Sequence, residues 1–216
     1  VQSAQDTGGV GPVAPAKPAP RFSICVLPFA NMSGDSEQEY FSDGITEDIT
    51  TDLSKVSALA VTASNIAFSY KDKHIDIPRV VRELKVSHVL EGSVRKAGGR
   101  VRINAQLIDG TSRTHVWAER YDRDASDIFA IQDEISHAIV KALKLRLLPE
   151  EKKAIERRGT ESVDAYNLYL MARQIYTTNQ EDARASQAVI RTCTRAAEID
   201  PNYAQAWALM ATAYGY

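Results

Sequence analysis

Only two of the 216 residues are cysteine. Cys25 lies in an apolar run and Cys193 in a helical pattern far along the chain, so a disulfide framework is not expected and both thiols read as small buried apolar groups. A surplus of basic charge is also missing, with 26 Lys and Arg against 28 Asp and Glu, and no basic block occurs. Nucleic acid is therefore not an expected partner. No apolar run approaches the roughly 18 residues of a membrane span, so direct membrane insertion by this stretch is not expected either. P-loop, GxGxxG, GxSxG and HExxH strings are absent, and nothing calls for a cofactor.

What is present divides the chain into four expected regions. Residues 1–21 hold Gly, Pro and Ala with almost no large apolar side chain, which suits an extended linker. From Phe22 the run Ile24-Cys25-Val26-Leu27-Pro28-Phe29 reads as a strand buried on both faces. Asp43 then reads as the cap of a helix that carries Ile45, Ile49, Leu53 and Val56 on one face. A strand follows over residues 59–62 and a helix over residues 77–84 with Pro78 in its first turn.

Residues 88–95 and 101–107 alternate around Gly98-Gly99, which predicts a hairpin. A third antiparallel strand is expected over residues 114–121, and Ile128, Ile131, Ile135, Ala138, Ala142 and Leu145 mark a closing amphipathic helix. This order predicts an α/β (α+β) sandwich with a mixed sheet over residues 22–148. Residues 149–161 read as a helical connector.

Residues 162–216 carry three helical patterns, at 165–179, 182–200 and 203–216. In the last, Trp207-Ala-Leu-Met210-Ala211-Thr-Ala-Tyr214 resembles the W-x2-L-G-x2-Y signature of a tetratricopeptide helix, with Met for Leu and Ala for Gly. Val189, Cys193 and Ala196, followed by Asp200-Pro201, are similar to the second helix of a preceding repeat. All-α tetratricopeptide helices are thus expected after the sandwich. Because such arrays need about three repeats, the pattern predicts a piece of a longer protein.

Four separated motifs carry a second resemblance. They are Ile24-Cys-Val-Leu-Pro28-Phe29 with Asn31-Met-Ser33-Gly34-Asp, Tyr40-Phe41-Ser-Asp43-Gly44-Ile45-Thr46-Glu47-Asp48-Ile49, Val89-Leu90-Glu91-Gly92-Ser93-Val94-Arg95, and Trp117-Ala118-Glu119-Arg120-Tyr121-Asp122. Together they resemble the TolB-like amino-terminal domain, related to the FlgO type. That resemblance implies a regulatory module in the carboxy-terminal half of a bacterial class III adenylate or guanylate cyclase, or of a winged-helix transcription regulator. It implies no catalysis by this stretch. By family analogy it favours the periplasmic face of a membrane-anchored parent, with the cytoplasmic face as the alternative.

Candidate sites follow from spacing. Tyr166, Tyr169, Arg173 and Tyr176 recur at three- and four-residue steps and share a helix face. Tyr and Arg are common at binding hot spots, so this face is expected to line a groove for a protein or peptide; the competing expectation is that it packs on the sandwich. A homodimer is a further assembly to test.

A small-ligand sensor, with a nucleotide as one ligand class, would use Asn31, Ser33, Asp43 and Gly44 near a helix start. Asp35, Glu37, Glu39 and Asp43 lack the mid-loop Gly and terminal Glu of a calcium loop and read as solvated. His88 and Glu91 should face opposite sides of a strand, and His115 and Glu119 lie about 13 Å apart along one. No metal site is expected. An unrecognised hydrolase or lyase would draw on Glu91 and Glu119.

Overall fold

The computed structural model describes residues 22–71, 73, 75–178 and 182–215. The expected linker at residues 1–21 lies outside these residues. Its organising element is β1 (Phe22–Val26), which runs parallel to β3 (Leu59–Val61) on one side and to β4 (His88–Ala97) on the other. Alternation along β1 explains its central place. Ile24 and Val26 enter one apolar core, while Cys25 and the following Leu27 enter a second on the opposite face.

The sheet has the order β3-β1-β4-β5-β6, with β2 (Ala30–Asn31) beside β4. β5 (Arg100–Asp109) and β6 (His115–Asp124) extend it antiparallel. Gly98 and Gly99 join β4 to β5 with φ of 57° and 77°. A two-residue turn with both φ positive matches the strand twist, and glycine takes it without steric cost.

Two helices cover one face. α1 (Glu39–Ser54) contributes Phe41, Ile45, Ile49 and Leu53, and α4 (Ile128–Ala142) contributes Ile128, Ile131, Ile135 and Ile139. Each set falls at three- and four-residue steps, so one stripe of each helix faces the core. The short α2 (Ser64–Phe68) and α3 (Ile77–Leu84) cover the β1 side of the other face, through Ala67 and Val80 packed near Cys25 and Val89. Both cysteines are free and buried, and burial raises the Cys25 thiol to a pKa of about 11.

Asp43 does not cap α1. The helix starts four residues before it, at Glu39, after a 3-10 turn at Ser36–Gln38 that Asp35 caps by accepting from the Glu37 amide at 2.9 Å. Asp35 thus caps the 3-10 turn alone, and α1 itself starts behind Gln38 with no side-chain cap.

Gly92 shows how tightly β4 meets its cover. A Cβ there would lie 2.5 Å from the Asn104 carbonyl oxygen and 2.7 Å from the Phe29 ring. Neither backbone nor a fully buried ring gives way cheaply. Gly92→Ala should lower stability by about 1–3 kcal/mol, measured by urea unfolding; an unchanged midpoint would show that the strand relaxes freely.

After α4, α5 (Pro149–Glu156) covers the first part of the connector and is tied back by Glu151, which accepts from the Ser57 amide at 2.8 Å and the Leu148 amide at 2.9 Å. Then come α6 (Val163–Thr178), α7 (Ala183–Ile199) and α8 (Ala204–Tyr214). α7 packs on both α6 and α8, and α6 also touches α8. Mostly small residues make this close approach: Ala172, Val189, Cys193 and Ala213 form one buried cluster, and Ala165, Ala196 and Ala206 pack around Tyr203 in another.

Candidate functional site

The chemistry-bearing side chains gather where α6 meets α1. α1 presents two stripes, the apolar one already described and an acidic one of Asp43, Glu47, Asp48 and Asp52. Gly44 makes the approach of α6 close, because a Cβ on it would stand 2.4 Å from Leu170 Cδ1. Leu170 thus fills the space above α1 and is itself fully buried.

Each acid of the stripe has its own partner. The Tyr166 hydroxyl donates to Asp48, and Gln132 of α4 donates to Asp48 at 3.0 Å and to the Tyr166 oxygen at 3.0 Å. Arg173 Nη1 stands 2.8 Å from Glu47. Lys71 holds Asp43 at 2.6 Å and Glu39 at 2.9 Å. Asp52 pairs with Lys55 at 2.8 Å.

Burial dominates the electrostatics of this row. Loss of water raises the carboxyls of Asp43, Glu47 and Asp48 despite their cationic or hydrogen-bonding partners. For Asp52 burial likewise outweighs Lys55 and lifts the pKa to about 6. Burial works against the charge of Arg173, but the carboxylates of Glu47 and Asp48 and the Tyr169 hydroxyl beside it prevail and its pKa rises.

The four expected groove residues therefore have an inward setting. Tyr166 is buried in the main core, its ring edge-on to Phe129 with centroids 5.1 Å apart. Tyr169 packs edge-on to Tyr203 of the loop before α8, at 5.2 Å. Arg173 is spent on Glu47, and Tyr176 packs beside the cluster between α6 and α7. The open-groove orientation is corrected by this geometry: the shared face lies against α1, α4 and the neighbouring helices, because the acidic stripe supplies partners for its hydroxyl and guanidinium.

The expected small-ligand set does not form one site. Asn31 and Ser33 close a turn, with Asn31 Oδ1 accepting from the Ser33 amide at 3.0 Å and Ser33 Oγ accepting from the Lys96 amide at 3.0 Å. Asp43 is bound to Lys71, and Gly44 is a packing position under Leu170. A cleft of about 310 Å³ does open between α1, α2 and α6. Tyr40, Phe68 and Leu170 make its apolar wall, and Asp43, Glu47 and Arg173 its charged rim. Asp43 and Arg173, expected at separate sites, meet here.

Glu91 and Glu119 do not converge. Glu91 stands opposite Gln106 and Glu119 opposite Ala105, neighbours on β5 that face opposite sides of the sheet. His88 is buried beside Ser87, with its Nε2 3.7 Å from Asp109, and burial lowers its pKa. Among the described residues no group of three or more His, Cys, Asp or Glu is placed to hold a metal, and no helix is long and apolar enough to cross a membrane.

Sequence reasoning missed Glu47, Asp48, Asp52, Lys71 and Gln132. The acidic spacing on α1 was a readable signal, since residues 43, 47, 48 and 52 recur near helical period. Lys71 gave none, for it comes from a loop.

A family model, the second domain of the HilA/YgeH-like transcriptional regulators, matches residues 20–141. The chain belongs to this family. The matched HilA/YgeH-like domain comprises the sheet and its covering helices through α4, and stops short of α5. Beyond it, "Putative adenylate cyclase 3" of Rhizobium meliloti (strain 1021) is 55% identical over 197 residues, which is 91% of this chain and 32% of that protein. This chain thus spans about a third of that curated relative. Among solved structures it is similar to TolB from Acinetobacter baumannii, at 20% identity and TM-score 0.43 over 58% of this chain and 28% of that one. It is also similar to lipoprotein GNA1162 from Neisseria meningitidis, at 18% identity and TM-score 0.41 over 58% of this chain and 99% of that one.

Proposed function

We propose that this chain is a non-catalytic regulatory and protein-interaction module of a larger bacterial signalling protein, an adenylate or guanylate cyclase whose catalytic domain lies outside these residues. The observation that carries this reading is the 55% identity over nearly the whole chain to a third of a putative adenylate cyclase. The family match is likewise to one domain of a regulator. Both support reading the domain as an attachment to something larger. The parent is read as membrane-anchored, with this module on the periplasmic face in preference to the cytoplasmic one.

Mechanically, α6 is welded to α1 through Asp48, Glu47 and Gly44, so a load on α6–α8 reaches the sheet without slack. The three helices are read as the start of a tetratricopeptide array, supported by the packing of α6 on α7, α7 on α8 and α6 on α8. A protein or peptide partner would contact the outward side chains Met171, Trp207 and Tyr214, which are 41, 48 and 68% exposed. Tyr166 and Arg173 would act from behind, by holding α6.

The test is cyclic nucleotide formation from ATP and GTP, assayed for the 216-residue chain, for the full-length protein that carries it, and for that protein with Arg173→Ala. The isolated chain should show no turnover and the variant should alter the response of the full-length protein at least twofold. Turnover by the isolated chain would overturn the non-catalytic reading, and an unaltered variant the coupling through α6.

The cleft between α1, α2 and α6 favours a second reading, a small-ligand sensor. A nucleotide that raises the melting temperature of the chain but not of Arg173→Ala would support it. The family match favours a third, the accessory domain of a winged-helix regulator, and the coding sequence on either side of this stretch decides between regulator and cyclase.

A further inference from the structure

β6 ends the sheet, and its packing neighbours are β5 and α4. An edge strand turns alternate N–H and C=O groups outward, and proteins commonly blunt such edges with proline, a bulge or a short length. β6 holds no proline and is ten residues long, and its one bulge, at Val116 opposite Leu107 and Ile108, leaves residues 117–124 in regular register. Only its charges stand guard there, and their order is unusual. Glu119-Arg120-Tyr121-Asp122-Arg123 reads minus, plus, neutral, minus, plus, so reversing the strand inverts the charge at every position about Tyr121.

In an antiparallel pair, residues directly opposite share a face of the sheet. A second β6 centred on Tyr121 would set Glu119 against Arg123 on the helix-covered face and Arg120 against Asp122 on the open face. Two-fold symmetry makes each contact twice. Centred on Arg120 or on Asp122, the same strand would set that charge against its own copy. The complementarity thus selects one register.

The chain itself leaves one member of this set unmatched. Asp122 accepts from Arg100 at 3.0 Å and Arg102 at 2.9 Å, Arg123 binds Glu134 at 2.7 and 2.8 Å, and Glu119 accepts from the Tyr121 hydroxyl at 3.0 Å. Arg120 is exposed and has no partner among the described residues. Asp122 of a second copy would supply one.

We propose that β6 is a self-pairing edge, through which two copies of this chain join their sheets antiparallel about a two-fold axis at Tyr121. The backbone ladder supplies the attraction and the charges fix register and partner.

The test uses sedimentation equilibrium on the 216-residue chain and on two variants, Arg120→Asp and Asp122→Arg. The unaltered chain should dimerise, and each variant alone should associate at least about tenfold more weakly, because like charges then face each other twice. Mixed in equal amounts, the variants should recover the original affinity, since the acidic strand of one meets the basic strand of the other. A chain that stays monomeric at millimolar concentration, variants that dimerise as the parent does, or a mixture that fails to recover would each overturn the proposal. Should circular dichroism show either variant unfolded, Glu119→Arg and Arg123→Glu test the same exchange on the other face.

Discussion

Tyr166→Ala should lower the unfolding free energy by about 3–5 kcal/mol, the usual cost of deleting a buried aromatic ring. The ring is nearly inaccessible, packs on Phe129 and holds α6 to the sheet. Tyr166→Phe separates the two roles of the side chain. It keeps the packing but leaves Asp48 with one donor fewer, which should cost about 1–3 kcal/mol. Urea unfolding of the two variants checks both numbers. A residue that served only to capture a partner would leave stability untouched, so a null result for alanine would return Tyr166 to the surface role that its spacing first suggested.

The second large effect is one of pH. The Asp52 carboxyl moves from an ordinary 3.8 to about 6 in the folded protein. The folded state therefore holds this proton more tightly than the unfolded state. The stability Asp52 contributes is full below about pH 4 and is lost as pH rises through 6, in all about 3 kcal/mol at 1.36 kcal/mol per pH unit. Asp43, Glu47 and Asp48 act in the same direction, since burial raises them too. Thermal unfolding should show a higher melting temperature at pH 5 than at pH 7.5, and Asp52→Asn should remove several degrees of that difference. An unaltered pH slope in the variant would mean that Asp52 ionises as it would in water.

Local chemistry made some of this fold legible. Gly98-Gly99 announced the hairpin because only glycine enters two successive positive-φ positions without strain, and the isoleucines of α4 announced a covered face through their period. The same reasoning could not find the place of β1 between β3 and β4, which depends on pairings 37 and 64 residues apart in sequence. It also left open whether Tyr166 and Arg173 line a groove or pack on the sandwich. Periodicity says which residues share a face, and it is silent on what covers that face; the cover here is a stripe of acids more than a hundred residues upstream. The start of α1 was misplaced for a related reason, since a capping residue type such as Asp43 does not by itself mark a helix start, and α1 begins at Glu39 behind a 3-10 turn that Asp35 caps.

The bond from Tyr166 to Asp48 spans 118 positions, and that distance sets an order of events during synthesis. A ribosome adding about 5–20 residues per second takes roughly ten seconds to travel from one to the other. In that interval α1 can settle on the sheet with Asp48 hydrated and ionised. Docking of α6 strips away that water and raises the affinity of the row for protons, so this step of assembly draws protons from solution. Lower pH would therefore favour the docked arrangement of α6, and higher pH the undocked one.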